Sequence, residues 1–129
     1  MSAPIPTGKK ILIIEDQKDI AKLLESRLKA AGYTAITALD GQEGMQAVPK
    51  VNPDLIITDL AMPGIPGNTI VRILKASEQY KHIPIIMLSA FVSDSMGAGV
   101  EVPADVYMRK PYQAEILLAK IKELLHLSI

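Results

Sequence analysis

The sequence contains no cysteine. That excludes disulfides, a thiol nucleophile and a thiolate metal site, and it fits a reducing, cytoplasmic setting. Aromatic residues make up only 4% of the chain, against 49% hydrophobic residues in all. The core must therefore be built from Ile, Leu, Val, Ala and Met. Net charge is also lacking, since 14 basic side chains balance 14 acidic ones. A neutral chain offers no footprint for nucleic acid or for an anionic membrane. Long apolar runs are missing as well. Lys9 and Lys10 precede only Ile11 to Ile14, too few residues for a signal-peptide core or for membrane insertion. No GxxxxGK[ST] loop occurs, which argues against a nucleoside triphosphate as phosphoryl donor. Internal repeats, low-complexity segments and a linker to a second domain are likewise absent.

A chain of 129 residues can bury a full core as one domain. Residues 1–8, with Pro4, Pro6 and Gly8, read as a flexible tail, and residues 9–129 as the domain. The pattern is organised around Asp54 to Gly64, DLIITDLAMPG. Leu55, Ile56 and Ile57 predict a buried strand, and Met62-Pro63-Gly64 predicts a loop, so Asp59 falls where one becomes the other.

Four other short runs behave as strands. They are Ile11–Ile14, Tyr33–Ala38, Ile83–Leu88 and the weaker Val106–Met108. Between them the period lengthens. Ile20, Leu23, Leu24, Leu28 and Ala31 mark the face of a helix that Gly32 ends. Asp40 caps a short helix carrying Met45, Ala47 and Val48, which Pro49 and Pro53 close. Gly67-Asn68 leads into a helix with Ile70, Ile73 and Leu74 inward, and Leu117, Ile121, Leu124 and Leu125 define a last one. Residues 91–104, with Gly97, Gly99 and Pro103, predict at most a short or frayed helix. Strand–helix alternation repeated five times predicts an α/β domain. Its expected form is a doubly wound, five-stranded parallel sheet with helices on both faces, flavodoxin-like in outline.

Ligands of such sheets bind beyond the carboxyl ends of the strands. Glu15-Asp16, Asp59, Ser89 and Lys110 each end an apolar run at that rim. Alone, each has an ordinary reading: a solvated loop carboxylate, a surface lysine, a helix cap. Together they describe chemistry. Three clustered carboxylates repel and favour a cation, and oxygen-only ligands suit Mg²⁺. Lys110 supplies a mobile positive charge for a phosphoryl oxygen, Ser89 a hydroxyl, and Asp59 a nucleophile. The six Met residues read as core filler, and His82 and His126 as surface residues. Asp19 reads as a helix-start residue and Asp54 as a solvated residue at a strand entry.

These residues bring the chain close to a known family. Glu15-Asp16, Asp59 within DLAMPG, Ser89-Ala90, and Tyr107 three residues before Lys110-Pro111 resemble the receiver domain of two-component response regulators. The resemblance covers residues 9–127. It implies that Asp59 accepts a phosphoryl group from a phosphohistidine on a histidine kinase or a histidine phosphotransfer protein. It implies a Mg²⁺ site formed by Glu15, Asp16, Asp59 and the backbone carbonyl of Ala61. Lys110 would pair with the acceptor and then with the phosphoryl group, and its bond to Pro111 would be cis. Ser89 and Tyr107 would act as the switch pair, Ser89 moving toward the phosphoryl oxygen and Tyr107 turning inward. That shift would remodel the face of the fourth helix, fifth strand and fifth helix, which a downstream effector reads. The closing helical pattern predicts a stand-alone domain, with no attached output domain. It would catalyse only its own phosphorylation and slow hydrolysis.

The chain departs from the family pattern in places. Pro66 stands where many receivers carry Asp, and Pro103-Ala104-Asp105 replaces a Gly-Ala-Asp turn. Ala61 and Phe91, at positions thought to tune dephosphorylation in the family, are both apolar, which predicts a long-lived phosphoryl state. Two rival readings remain. A Mg²⁺-dependent phosphatase of the haloacid dehalogenase type would want a second Asp where Ala61 stands. A scaffold that keeps the fold without phosphorylation fits the eroded segment 91–104 but not the intact rim.

Overall fold

The computed structural model describes residues 7–90 and 104–126. Every apolar run singled out by the pattern is a strand: β1 (Lys10–Ile14), β2 (Thr34–Ala38), β3 (Leu55–Asp59), β4 (Ile85–Ser89) and β5 (Val106–Arg109). The helices among the described residues are α1 (Lys18–Ala30), α2 (Gly41–Val51), α3 (Gly67–Lys75) and α4 (Ala114–Leu124). All neighbouring strands are parallel, in the order β2-β1-β3-β4-β5. This is the doubly wound, flavodoxin-like arrangement, with its switch in strand order between β1 and β3.

Alternation along each strand divides the core into two layers. Ile11, Ile13, Leu55, Ile57, Ile86, Leu88 and Met108 pack with Leu24 and Leu28 of α1 and with Leu117 and Ile121 of α4. Leu12, Ile14, Ile56, Ile85 and Met87 pack on the other side with Val48 of α2 and with Ile70, Val71 and Leu74 of α3. Helices therefore cover both faces. Burying β1, β3 and β4 on both sides is what makes them continuous apolar runs rather than alternating ones.

Some details differ from expectation. Leu23 and Ile73 were expected on core faces, yet they are 57% and 47% exposed. The buried stripe of α1 is Ala21, Leu24 and Leu28, and that of α3 is Gly67, Ile70, Val71 and Leu74. Both follow i, i+3 and i+7, with i+4 added in α3, and they leave Leu23 and Ile73 a hundred-degree step off the face. Pro49 does not close α2 but lies inside it. It sits in the last turn, where the N–H of Asn52 still reaches the Val48 carbonyl at 2.9 Å. The actual stop is Asn52, whose φ of 53° is left-handed. Asp40 caps α2 as expected, accepting from the Glu43 N–H at 2.7 Å. Thr7, expected in the tail, donates its N–H to the Gly32 carbonyl at 2.9 Å. The expectation of a short helix in residues 91–104 falls, up to Pro103, outside the described residues. The helix counted fifth from the sequence is accordingly α4.

Candidate active site

Three strands deliver the central side chains by one rule. The layer facing α1 and α4 takes Ile11 and Ile13 from β1, Leu55 and Ile57 from β3, and Met108 from β5. The next residue in each alternation is Glu15, Asp59 and Lys110. All three thus leave the sheet with the same parity at its carboxyl edge. Glu15 follows β1 and Asp59 ends β3, the two strands flanking the switch point, and Ser89 ends β4 beside them. The ladders run to the rim: the Leu60 N–H donates to the Leu88 carbonyl at 3.0 Å, and the Lys110 N–H to the Ser89 carbonyl at 2.8 Å.

These placements bring the expected residues together. The Lys110 ammonium lies 2.5 Å from Asp59 Oδ1 and 3.1 Å from Glu15 Oε1. The Gln17 N–H donates to the other oxygen, Glu15 Oε2, at 3.1 Å. Glu15, Asp16 and Asp59 each offer an oxygen within 4.8 Å of the others. Glu15, Asp59 and Ser89 are buried, while Asp16 is half-buried. Burial raises the Asp16 carboxyl above its ordinary value, and the hydrogen bond and charge of Glu15 add to this. Burial works against the Lys110 ammonium, but its bonds to Asp59 and Glu15 outweigh that and hold it above the ordinary lysine value. Lys110 is therefore charged at neutral pH. Three carboxylates against one ammonium leave two negative charges in excess, the complement of one divalent cation. The donors are oxygen atoms throughout, so the residues present fit a hard cation such as Mg²⁺.

The remaining expected residues are placed less tightly. Ala61 lies two residues past Asp59, exposed in the β3–α3 loop. Tyr107 is 39% exposed, and its hydroxyl accepts from the Ala104 N–H at 3.3 Å, so it faces outward. Phe91 lies outside the described residues. The Lys110–Pro111 bond is cis. His82 and His126 are exposed, and Asp19 lies in the first turn of α1. Asp54 is not merely solvated, because its Oδ2 accepts from the Lys10 N–H at 2.8 Å and ties β1 to the start of β3.

Sequence reasoning passed over three contributors. The Gln17 N–H orients Glu15, and as a backbone group it carries no residue signal. Tyr112 is half-buried, and burial raises its hydroxyl pKa. Its position directly after Lys110-Pro111 was the available clue. Gly67, at the start of α3, donates its N–H to the Leu60 carbonyl at 2.8 Å.

Known proteins share this arrangement. A family profile described as the response regulator receiver domain matches residues 11–122. The alkaline phosphatase synthesis transcriptional regulatory protein PhoP of Bacillus subtilis is 36% identical over 122 residues, covering 94% of this chain and 50% of that protein. The chain spans about half the length of the curated relatives it matches. The signal receiver domain of a signal transduction histidine kinase from Syntrophus aciditrophicus superposes with a TM-score of 0.86 at 31% identity, covering 92% of this chain and 90% of that one. The response regulator TrrA of Thermotoga maritima, solved in complex with Mg²⁺-BeF, gives 0.80 at 33% identity over 90% of this chain and 98% of that one. With its sheet order, its acidic rim and these likenesses in agreement, the chain belongs to the response regulator receiver domain family, whose members are signalling domains rather than metabolic enzymes.

Proposed function

We propose that Asp59 is a phosphoryl acceptor and that its phosphorylation switches the binding of protein partners. The observation that carries this reading is Lys110, whose ammonium spans Asp59 and Glu15 beside the acidic trio. In the transfer, the P–N bond of a phosphohistidine breaks and a P–O bond to an Asp59 oxygen forms. The electron pair of the broken bond leaves with the imidazole nitrogen. Lys110 holds the carboxylate before the step and can follow the negative charge onto the phosphoryl oxygens after it. Ser89 places a hydroxyl at the same rim. Glu15, Asp16, Asp59 and the Ala61 carbonyl are the groups that would hold Mg²⁺. Bound there, the ion would neutralise charge on the transferring phosphoryl group.

The partners we assign are a histidine kinase or a histidine phosphotransfer protein upstream, and an effector protein downstream. A net charge of zero supports a protein rather than nucleic acid as the direct partner of this segment. The transcriptional role in the name of the Bacillus relative belongs to a protein about twice as long. Action as a stand-alone switch is part of the same proposal, as is a cytoplasmic setting. No helix among the described residues is long and apolar enough to cross a membrane. Ala61 is exposed and apolar, so it cannot orient an attacking water, which supports a long-lived phosphoryl state.

The test is intact mass after incubation with acetyl phosphate and Mg²⁺, for wild type and Asp59→Asn. One added phosphoryl group, dependent on Mg²⁺ and missing from the variant, is the expected result. Absence of an adduct in a protein that binds Mg²⁺ would overturn the acceptor role and leave the scaffold reading in its place.

A further inference from the structure

Two glycines fix the backbone on which the acceptor sits. The first is Gly67. A Cβ built there would meet the Asp59 carbonyl oxygen at 2.0 Å, its carbon at 3.0 Å and Leu60 Cα at 3.1 Å. Only a residue without a side chain lets α3 begin directly against the backbone of the acceptor. The contact is also a cap. Pro66 precedes α3 and provides no side-chain hydrogen bond to it. The Gly67 N–H instead finds the Leu60 carbonyl at 2.8 Å. Backbone adjoining the acceptor thus does for α3 what a capping side chain does for α2 at Asp40.

The second is Gly41, the first residue of α2. A Cβ there would meet the Ile65 carbonyl oxygen at 2.0 Å, with its carbon at 2.8 Å. The loop from Leu60 to Pro66 is therefore pressed between two helix starts, and backbone atoms, which cannot rotate away, form both contacts. Gly64 shows the opposite case. Its φ is +79°, and nothing lies within 4 Å of a Cβ built on it, so conformation rather than space requires it.

We infer that Gly41 and Gly67 are positioning residues for the acceptor loop, holding Asp59 and the Ala61 carbonyl in register with Glu15 and Asp16. The inference rests on the phosphoacceptor reading and extends it to two residues that touch neither metal nor phosphoryl group. Outer residues that orient ligands commonly change metal affinity tenfold to a hundredfold when altered.

A built-in control exists on the same helix. The three atoms nearest a Cβ on Gly44 all belong to the Ile14 side chain, Cδ1 at 2.6 Å, Cγ1 at 2.9 Å and Cγ2 at 3.1 Å, and none is backbone. Gly44→Ala adds the same methyl group and a comparable packing strain without touching loop backbone. The experiment measures Mn²⁺ affinity by electron paramagnetic resonance and amide shifts of residues 59–67 by NMR. The proteins are wild type, Gly41→Ala, Gly44→Ala and Gly67→Ala, each at a temperature where its circular dichroism is native.

Gly41→Ala is expected to weaken Mn²⁺ by about tenfold or more and to shift the loop amides, while Gly44→Ala leaves both near wild type. Gly67→Ala is expected to do the same as Gly41→Ala if it folds, and Gly41→Ala decides the matter if it does not. Equal metal affinity in Gly41→Ala and Gly44→Ala overturns the inference, and so does a wild type that binds no Mn²⁺. Acetyl phosphate labelling of the wild type is read separately. Its failure would sink the acceptor reading, while the comparison of metal affinities would still decide the positioning role.

Discussion

Asp16→Asn is expected to stabilise the metal-free protein and to blunt its response to Mg²⁺. Lys110 reaches Glu15 and Asp59, and no ion pair to Asp16 occurs among the described residues. Burial first, then its hydrogen bond to Glu15, raise the Asp16 carboxyl. An acid with a raised folded pKa stabilises the fold only while protonated. Its contribution is whole below the unfolded value of 3.8 and is lost as pH climbs through the folded one. At neutral pH the ionised group therefore weighs against folding. Two unit charges at the 4.8 Å limit of the trio repel by about 3.5 kcal/mol at an effective dielectric of about 20, and by about 0.9 kcal/mol in water. Asp16 is half-exposed and Lys110 attracts it weakly, so the net gain from neutralising it is about 1–2 kcal/mol. In a domain of this size that raises Tm by about 3–10 °C. The assay is thermal melting by circular dichroism, in EDTA and in millimolar Mg²⁺. Mg²⁺ should lift the wild type by mass action and lift the variant less, since one anionic ligand is gone. Below the unfolded value of 3.8 the wild-type carboxyl is protonated in both states, and the two melting curves should converge. A metal-free variant that melts at or below the wild type would refute the reasoning, as would a difference that survives at low pH.

Three further outcomes are expected. Lys110→Met should destabilise the metal-free protein by about 2 kcal/mol in urea, less than for a fully buried pair because its side chain is 21% exposed, and Mg²⁺ should restore much of the loss. Its pKa is raised, so the wild type should keep this contribution through neutral pH and lose it only in strong alkali. Asp40→Ala removes the cap of α2 and should cost about 1 kcal/mol by urea unfolding, with no change in acetyl phosphate labelling. Asp105→Ala strips an acceptor from the Ile85 N–H at 2.7 Å and from the Lys75 ammonium at 2.8 Å, so a loss of about 2 kcal/mol is expected by the same measurement. An unchanged midpoint would show that water replaces both bonds.

Most of the sheet was legible because strands buried on both faces leave continuous apolar runs, and their ends coincide with abrupt changes of residue type. The rim was legible for the same reason: Glu15, Asp59, Ser89 and Lys110 each interrupt such a run. What was lost needed spatial information. Leu23 outranks Ala21 in hydrophobicity, yet Ala21 lies on the buried stripe of α1. Pro49 looked like a stop because its cost was judged without knowing that α2 had only two residues left to run. Asp54 looked solvated because its partner, Lys10, is 44 residues away. Gly67 was read only as the lead into a helix and Gly41 drew no reading, since a sequence cannot show which backbone will lie against them.

Asp105 has a mechanical consequence at the far end of β5. Its carboxylate holds the Ile85 N–H and the Lys75 ammonium, and its own N–H reaches the Ile85 carbonyl at 3.0 Å. Beyond it β5 is, among the described residues, an edge strand joined to β4. The strand is thus tied at both ends: by Asp105 at its base and, about 17 Å away by the usual rise per residue, by the Lys110 N–H on the Ser89 carbonyl at its tip. Laddered to β4 between these ties, its backbone has little room to translate. On the switch role proposed for it, Tyr107 would act by rotation of its own side chain, and that rotation would begin with release of the Ala104 N–H from its hydroxyl.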